Sequence, residues 1–152
     1  MESVFDTNLT VSGTAEEIKL ILEVLESYET SDHEVFFEGM DIQNGKGEHG
    51  HYGMETEEIE EFIKDSSEIN ISLIGPMGDN QIENVSLFQD LADAAPGSYI
   101  SGEIDGWTTY YSWSMSATLE GGQLNIFASG DFGGDDEDDQ TYTETYIPGS
   151  RR

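Results

Sequence analysis

Thirty-three carboxylate side chains stand against five basic ones in this 152-residue chain, a formal net charge of −28. Self-repulsion on that scale opposes every compact state, so a fold has to be carried by apolar burial elsewhere along the chain. The material is there: 36% of the residues are hydrophobic and 11% aromatic, with seven Phe and seven Tyr, which separates this sequence from acidic disordered chains. Solubility asks a small domain for only roughly 2 to 8 net charges. The excess beyond that implies a partner, and the sign of the charge says that the partner is basic. Nucleic acid and membrane surfaces are repelled. With no cysteine there is no disulfide framework and no thiolate metal site. The segment MESVFDTNLT has neither the basic nor the apolar part of a leader, and no apolar run approaches the ~18 residues of a membrane span. These features lead to the expectation of a cytoplasmic protein, in the host cytoplasm if a phage encodes it.

The hydrophobic pattern assigns the elements. Val4 to Val11 reads as extended and runs into Thr14-Ala-Glu-Glu17, a capping-box spacing that starts a helix over 15–28 with Ile18, Ile21, Leu22 and Leu25 on its apolar face. Val35 to Ile42 predicts a strand, followed by the glycine-rich turn 44–51 and a hairpin return through Tyr52 to Met54. Thr56 is the expected N-cap of a second helix over 57–65. Ile69 to Leu73 alternates as a half-buried strand. Ser86 to Gln89 repeats the capping-box spacing and predicts a short helix ending before Pro96-Gly97. Beyond residue 97 the texture changes to strands among Ser, Thr and aromatics, with Gly121-Gly122 turning a hairpin and 141–147 a last edge strand. The order predicts an α+β fold, a mainly antiparallel sheet with two or three helices packed on one face. One domain over 1–152 is expected, with an acidic loop at about 131–140; the change near 97 leaves room for two subdomains.

Four constellations carry chemistry. In the second helix Ile59, Phe62 and Ile63 face inward, and Glu55, Glu57, Glu58, Glu60, Glu61 and Asp65 are left outside. Residues three and four apart on a helix lie ~5–6 Å apart, comparable to phosphates along a nucleic-acid strand, although such a face is more often plain solvated surface. Asp135, Asp136, Glu137, Asp138 and Asp139, with Asp131, form an acidic run that fails the EF-hand template; a calcium site is the minor reading. Glu48-His49-Gly50-His51 supplies two imidazoles and a carboxylate, short of the ligand set of a tetrahedral site. Trp107, Tyr110 and Trp113 form an aromatic run with no Lys or Arg between Lys64 and Arg151. Base stacking is therefore disfavoured, and core packing or a protein-binding anchor is expected. No nucleophile elbow, P-loop, dinucleotide fingerprint or zinc-protease motif occurs, so neither an enzyme nor a cofactor is expected.

In charge, size, lack of cysteine and the carboxylate-lined helix, the chain resembles the acidic DNA-mimic proteins of phages and mobile elements, of the anti-restriction and anti-CRISPR type. The resemblance is compositional and matches no family motif. It implies an inhibitor that binds a nuclease, restriction enzyme or CRISPR effector at its nucleic-acid-binding surface. Glu55, Glu57, Glu58, Glu60, Glu61 and Asp65 would then be phosphate surrogates, Asp135 to Asp139 would steer association, and Trp107, Tyr110 or Trp113 would anchor it. A homodimer is compatible with this reading. The alternatives are an immunity protein against a basic nuclease toxin, halophilic adaptation, and a calcium-binding module.

Overall fold

The computed structural model describes residues 4–29, 39–51, 53–64, 68–74, 81–107, 112–130 and 140–150. Three helices and seven strands follow one another as β1 (Val4–Ser12), α1 (Ala15–Glu29), β2 (Gly39–Asn44), α2 (Thr56–Phe62), β3 (Glu68–Ile74), α3 (Gln81–Ala94), β4 (Tyr99–Trp107), β5 (Ser112–Glu120), β6 (Gln123–Gly130) and β7 (Gln140–Tyr146). The strands form one sheet in the order β2-β3-β1-β4-β5-β6-β7, antiparallel at every junction. This is the α+β architecture expected from the pattern. Because β1 pairs with both β3 and β4, the chain before and after residue 97 shares a single sheet.

Alternation along each strand sorts the side chains. Leu9 and Val11 on β1, Ile69 and Ile71 on β3, Ile100 and Ile104 on β4 and Leu124 and Ile126 on β6 are buried on one face. Their sequence neighbours Asn8, Asn70, Glu103 and Asn125 are exposed. The helices cover the apolar face: α1 packs against α2 and α3, and α3 against β5 and β6. Each large side chain buried there contributes about 1.5–3 kcal/mol, and this burial opposes the self-repulsion of the surface. The Phe88 ring lies over Gly102, where an added Cβ would come within 2.6 Å of it, so the close approach of α3 to β4 depends on glycine. The Tyr28 hydroxyl donates to Asp90 and ties α1 to α3. Asp93 accepts from the Tyr146 hydroxyl and the Gly149 N–H, both at 2.7 Å, fastening the end of β7 to α3.

The start of α1 has the expected reciprocal cap, Glu17 N–H to Thr14 Oγ1 at 3.1 Å and Thr14 N–H to Glu17 Oε1 at 2.9 Å. The Gly121-Gly122 turn has both residues at positive φ, 62° and 78°, the mirror-image turn that matches strand twist. Three expectations are corrected. α3 starts at Gln81 rather than Ser86, because the apolar period already begins upstream with Val85, and Ser86 is an exposed mid-helix residue. α2 is capped by Glu55 rather than Thr56 and ends at Phe62, with Ile63 as its C-cap. The turn after β2 returns antiparallel along it at 48–50, through the Gln43–His49 bridge and the Gly50 N–H to Ile42 carbonyl bond, earlier than the expected 52–54; Met54 is buried in the core, and Tyr52 lies outside the described residues.

Candidate functional site

The acidic helix is held from both ends. At its start Glu58 accepts the Glu55 N–H at 3.4 Å, and the Glu55 carboxylate receives the Lys19 ammonium of α1 at 3.0 Å. That hydrogen bond and the Glu55 charge, with a lesser contribution from Glu23, hold Lys19 above its usual range against the opposing effect of desolvation. At the end of α2 the buried Asn44 donates to the Phe62 carbonyl at 2.9 Å and to Glu48 Oε1 at 3.0 Å. The Asn44 side-chain oxygen accepts the N–H groups of Lys46 and Glu48 at 2.9 and 3.0 Å. One asparagine therefore folds the glycine-rich turn and fixes the helix to it.

Seven residues of helix span about 10 Å, so the carboxylate ladder is shorter than the pattern predicted. Ile59 is fully buried and Glu57, Glu58, Glu60 and Glu61 are all exposed. They differ in what they touch. Glu55 is engaged by Lys19, and Glu58 caps the helix and lies 3.6 Å from His51 Nε2. Glu57, Glu60 and Glu61 make no ion pair or side-chain hydrogen bond among the described residues. Glu58 and Glu61, with Lys46, Glu48, His49 and His51, border an open cleft of about 320 Å³. The two imidazoles do not converge there: His49 Nδ1 turns to Asp41 at 2.8 Å, while His51 faces Glu58. Among the described residues no group of three or more His, Asp or Glu is placed to hold a metal ion.

The aromatic anchors are rearranged. Trp113 is 4% exposed, its neighbours across the sheet being Gly106 on β4 and Gly130 on β6, and its indole belongs to the core. It is therefore unavailable as a surface anchor. Trp107 ends β4, opposite Val4 and Ser112. Tyr110, Asp65, Asp131 and Asp135 to Asp139 lie outside the described residues. Among the described residues the large apolar side chains exposed to solvent are Phe127 (47%) and Tyr99 on the open face of the sheet, Leu20 on α1 and Ile147 after β7.

A second acidic group went unread in the sequence. On the open face Asp6 stands directly opposite Asp105, and Glu103 stands opposite Asn8 on one side and Ser116 on the other. All three acids are exposed. Opposed residues on paired strands bring their Cβ atoms to about 4.5–5.5 Å, where like charges destabilise the sheet. No Lys or Arg occupies any of the seven strands. Strand parity could have placed Asp6, Glu103 and Asp105 on the outer face, but their meeting depends on β1 pairing with β4, which no local signal encodes. This group and the α2 ladder lie on opposite sides of the sheet, so one flat partner surface cannot engage both.

Compared with protein-family models, curated proteins and solved structures, the chain matches none of them. No helix among the described residues is long and apolar enough to cross a membrane.

Proposed function

We propose that this chain binds the cationic, nucleic-acid-binding surface of another protein, a nuclease, restriction enzyme or CRISPR effector, and inhibits it by occupying the place of phosphates. The observation that carries the reading is the exposed set Glu57, Glu60 and Glu61, projecting from a helix fixed at both ends and left without basic partners among the described residues. A helix backbone already fixed at both ends need not be ordered on binding, and Lys and Arg side chains that bind phosphates by Coulomb attraction and counterion release meet the same charges here. Glu58 adds a fourth charge, and Asp135 to Asp139 add long-range attraction that accelerates encounter at low salt.

The test is binding to a panel of purified nucleases, restriction enzymes and CRISPR effector complexes, titrated with salt and with competing duplex DNA. The expected result is a complex that both salt and DNA dissociate, and that the Glu57→Lys/Glu58→Lys/Glu60→Lys/Glu61→Lys variant weakens at least a hundredfold. With exposed pairs contributing up to about 1 kcal/mol each and each 1.4 kcal/mol worth about tenfold, four lost contacts account for that loss. A complex indifferent to DNA and unchanged by the four reversals would sink the reading.

A further inference from the structure

The acidic helix has a second cleft at its entrance. About 220 Å³ opens between α1 and the chain leading into α2, with Lys19, Leu22, Glu23 and Glu26 on one wall and Met54 and Glu55 on the other. Its floor is apolar, since Leu22 and Met54 are each only 4% exposed. Its rim is charged, with Glu23, Glu26 and Glu55 all exposed. The volume falls below the roughly 300–1,000 Å³ of a small-molecule site and suits one long side chain. A cation is already held at this rim. The Lys19 ammonium lies 3.0 Å from Glu55 Oε2, and its side chain is 33% exposed against 73% for that of Glu55, so the lysine stem runs over covered surface while its head reaches a carboxylate. Three carboxylates against one ammonium leave the rim negative. The last turn of α1, where Glu26 stands, has no basic residue to meet the negative end of the helix dipole.

We propose that this cleft receives one arginine side chain of the basic partner, its aliphatic stem on Leu22 and Met54 and its guanidinium among Glu23, Glu26 and Glu55, where it competes with Lys19. The basic character of that partner is taken from the function proposed above. The occupant follows from the cleft itself. Its size and floor select a long apolar stem, and its rim selects a positive head. Carboxylates arriving from two different elements select a guanidinium, whose planar fork of N–H donors reaches several acceptors and is more weakly hydrated than an ammonium. The cleft opens two residues before Glu57, at the start of the exposed ladder. An arginine seated there fixes the register in which other basic side chains meet Glu57, Glu60 and Glu61. Exposed charges mainly steer the encounter, whereas an arginine seated in a partly desolvated pocket is the kind of anchor that carries binding energy.

The experiment is an NMR titration of the full chain, labelled at its methionine and leucine methyl groups, with N-acetyl-argininamide. This probe carries one stem and one guanidinium and needs no protein partner, so its outcome stands apart from whether a nuclease or effector binds. Saturable shifts are expected at the Met54 and Leu22 methyls, with Met115, buried in the core, unmoved. Glu23→Gln/Glu26→Gln is expected to weaken binding about fivefold, and Lys19→Met to tighten it about two- to fivefold, because an exposed ion pair no longer occupies Glu55. Lys64→Met makes the same change in net charge beyond the far end of α2, where salt screens it, and is expected to alter binding by less than about twofold. Shifts that never saturate, or that leave Met54 and Leu22 unmoved, overturn the proposal. So does a Glu23→Gln/Glu26→Gln variant that binds unchanged, a Lys19→Met variant that binds no more tightly than Lys64→Met, or N-acetyl-lysinamide binding more tightly than the arginine probe.

Discussion

The Asn44 side-chain amide donates to the Phe62 carbonyl at 2.9 Å, so the turn after β2 positions the end of the acidic helix. Asn44 is 5% exposed and also satisfies two N–H groups of the turn. Asn44→Ala leaves several polar groups of a half-buried turn without partners, and buried unsatisfied groups cost about 1–3 kcal/mol. Urea unfolding is expected to show a loss in that range. Hydrogen exchange is expected to rise first in 45–50 and in α2, with β4 to β6 still protected; uniform loss of protection would show that Asn44 has no special hold on the helix.

Glu60 and Glu61 occupy the C-terminal half of α2, where the helix dipole disfavours negative charge, and Glu57 lies three and four residues before them on the same face. Glu60→Gln and Glu61→Gln are expected to be neutral or to stabilise by about 0.3–1 kcal/mol at low ionic strength, an effect that salt erases. The same variants are expected to weaken partner binding. Stability and binding moving in opposite directions is the signature of carboxylates kept for a partner, and parallel losses would contradict it.

Thr7 on β1 is 1% exposed, and its hydroxyl finds no hydrogen-bond partner among the described residues. Its neighbours across the sheet are Leu73 and Ile104. Valine keeps the branched shape and removes the stranded polar atom, so Thr7→Val is expected to raise stability by about 1 kcal/mol, read as a higher urea midpoint at unchanged slope. A destabilised variant would mean that the hydroxyl is satisfied after all.

Two groups make stability depend on alkaline pH. Burial, then the hydrogen bond to Glu144 and its charge, raise Tyr142 above its usual 10.0, and Glu55 raises Lys19 above its usual 10.5. A raised folded-state pKa means that the stabilisation is complete below the unfolded value and is lost as pH rises through the folded one. Unfolding free energy is therefore expected to fall above about pH 10, and Tyr142→Phe is expected to flatten part of that fall. An unchanged alkaline slope in the phenylalanine variant would remove Tyr142 from the account.

Local pattern alone determined most of the elements, because each is written in consecutive residues. The Thr14 to Glu17 box starts α1, alternation marks β3, and the glycine pair at 121 and 122 turns β5 into β6. It also determined that Ile59 goes in and that Glu57, Glu60 and Glu61 stay out, since a 3.6-residue period leaves them no other side. Tertiary structure decided what period cannot express. Ser86 looks like a cap in isolation and lies inside α3, because Val85 and the turns around it pack on the sheet. Trp113 becomes core because glycines stand beside it on both neighbouring strands. Lys19 claims Glu55 only once α1 meets α2, and Asp6 meets Asp105 only once β1 lies beside β4, 99 positions along the chain. Charge and periodicity are properties of neighbours in sequence, whereas pairing, burial and the freedom of a carboxylate are set by neighbours in space.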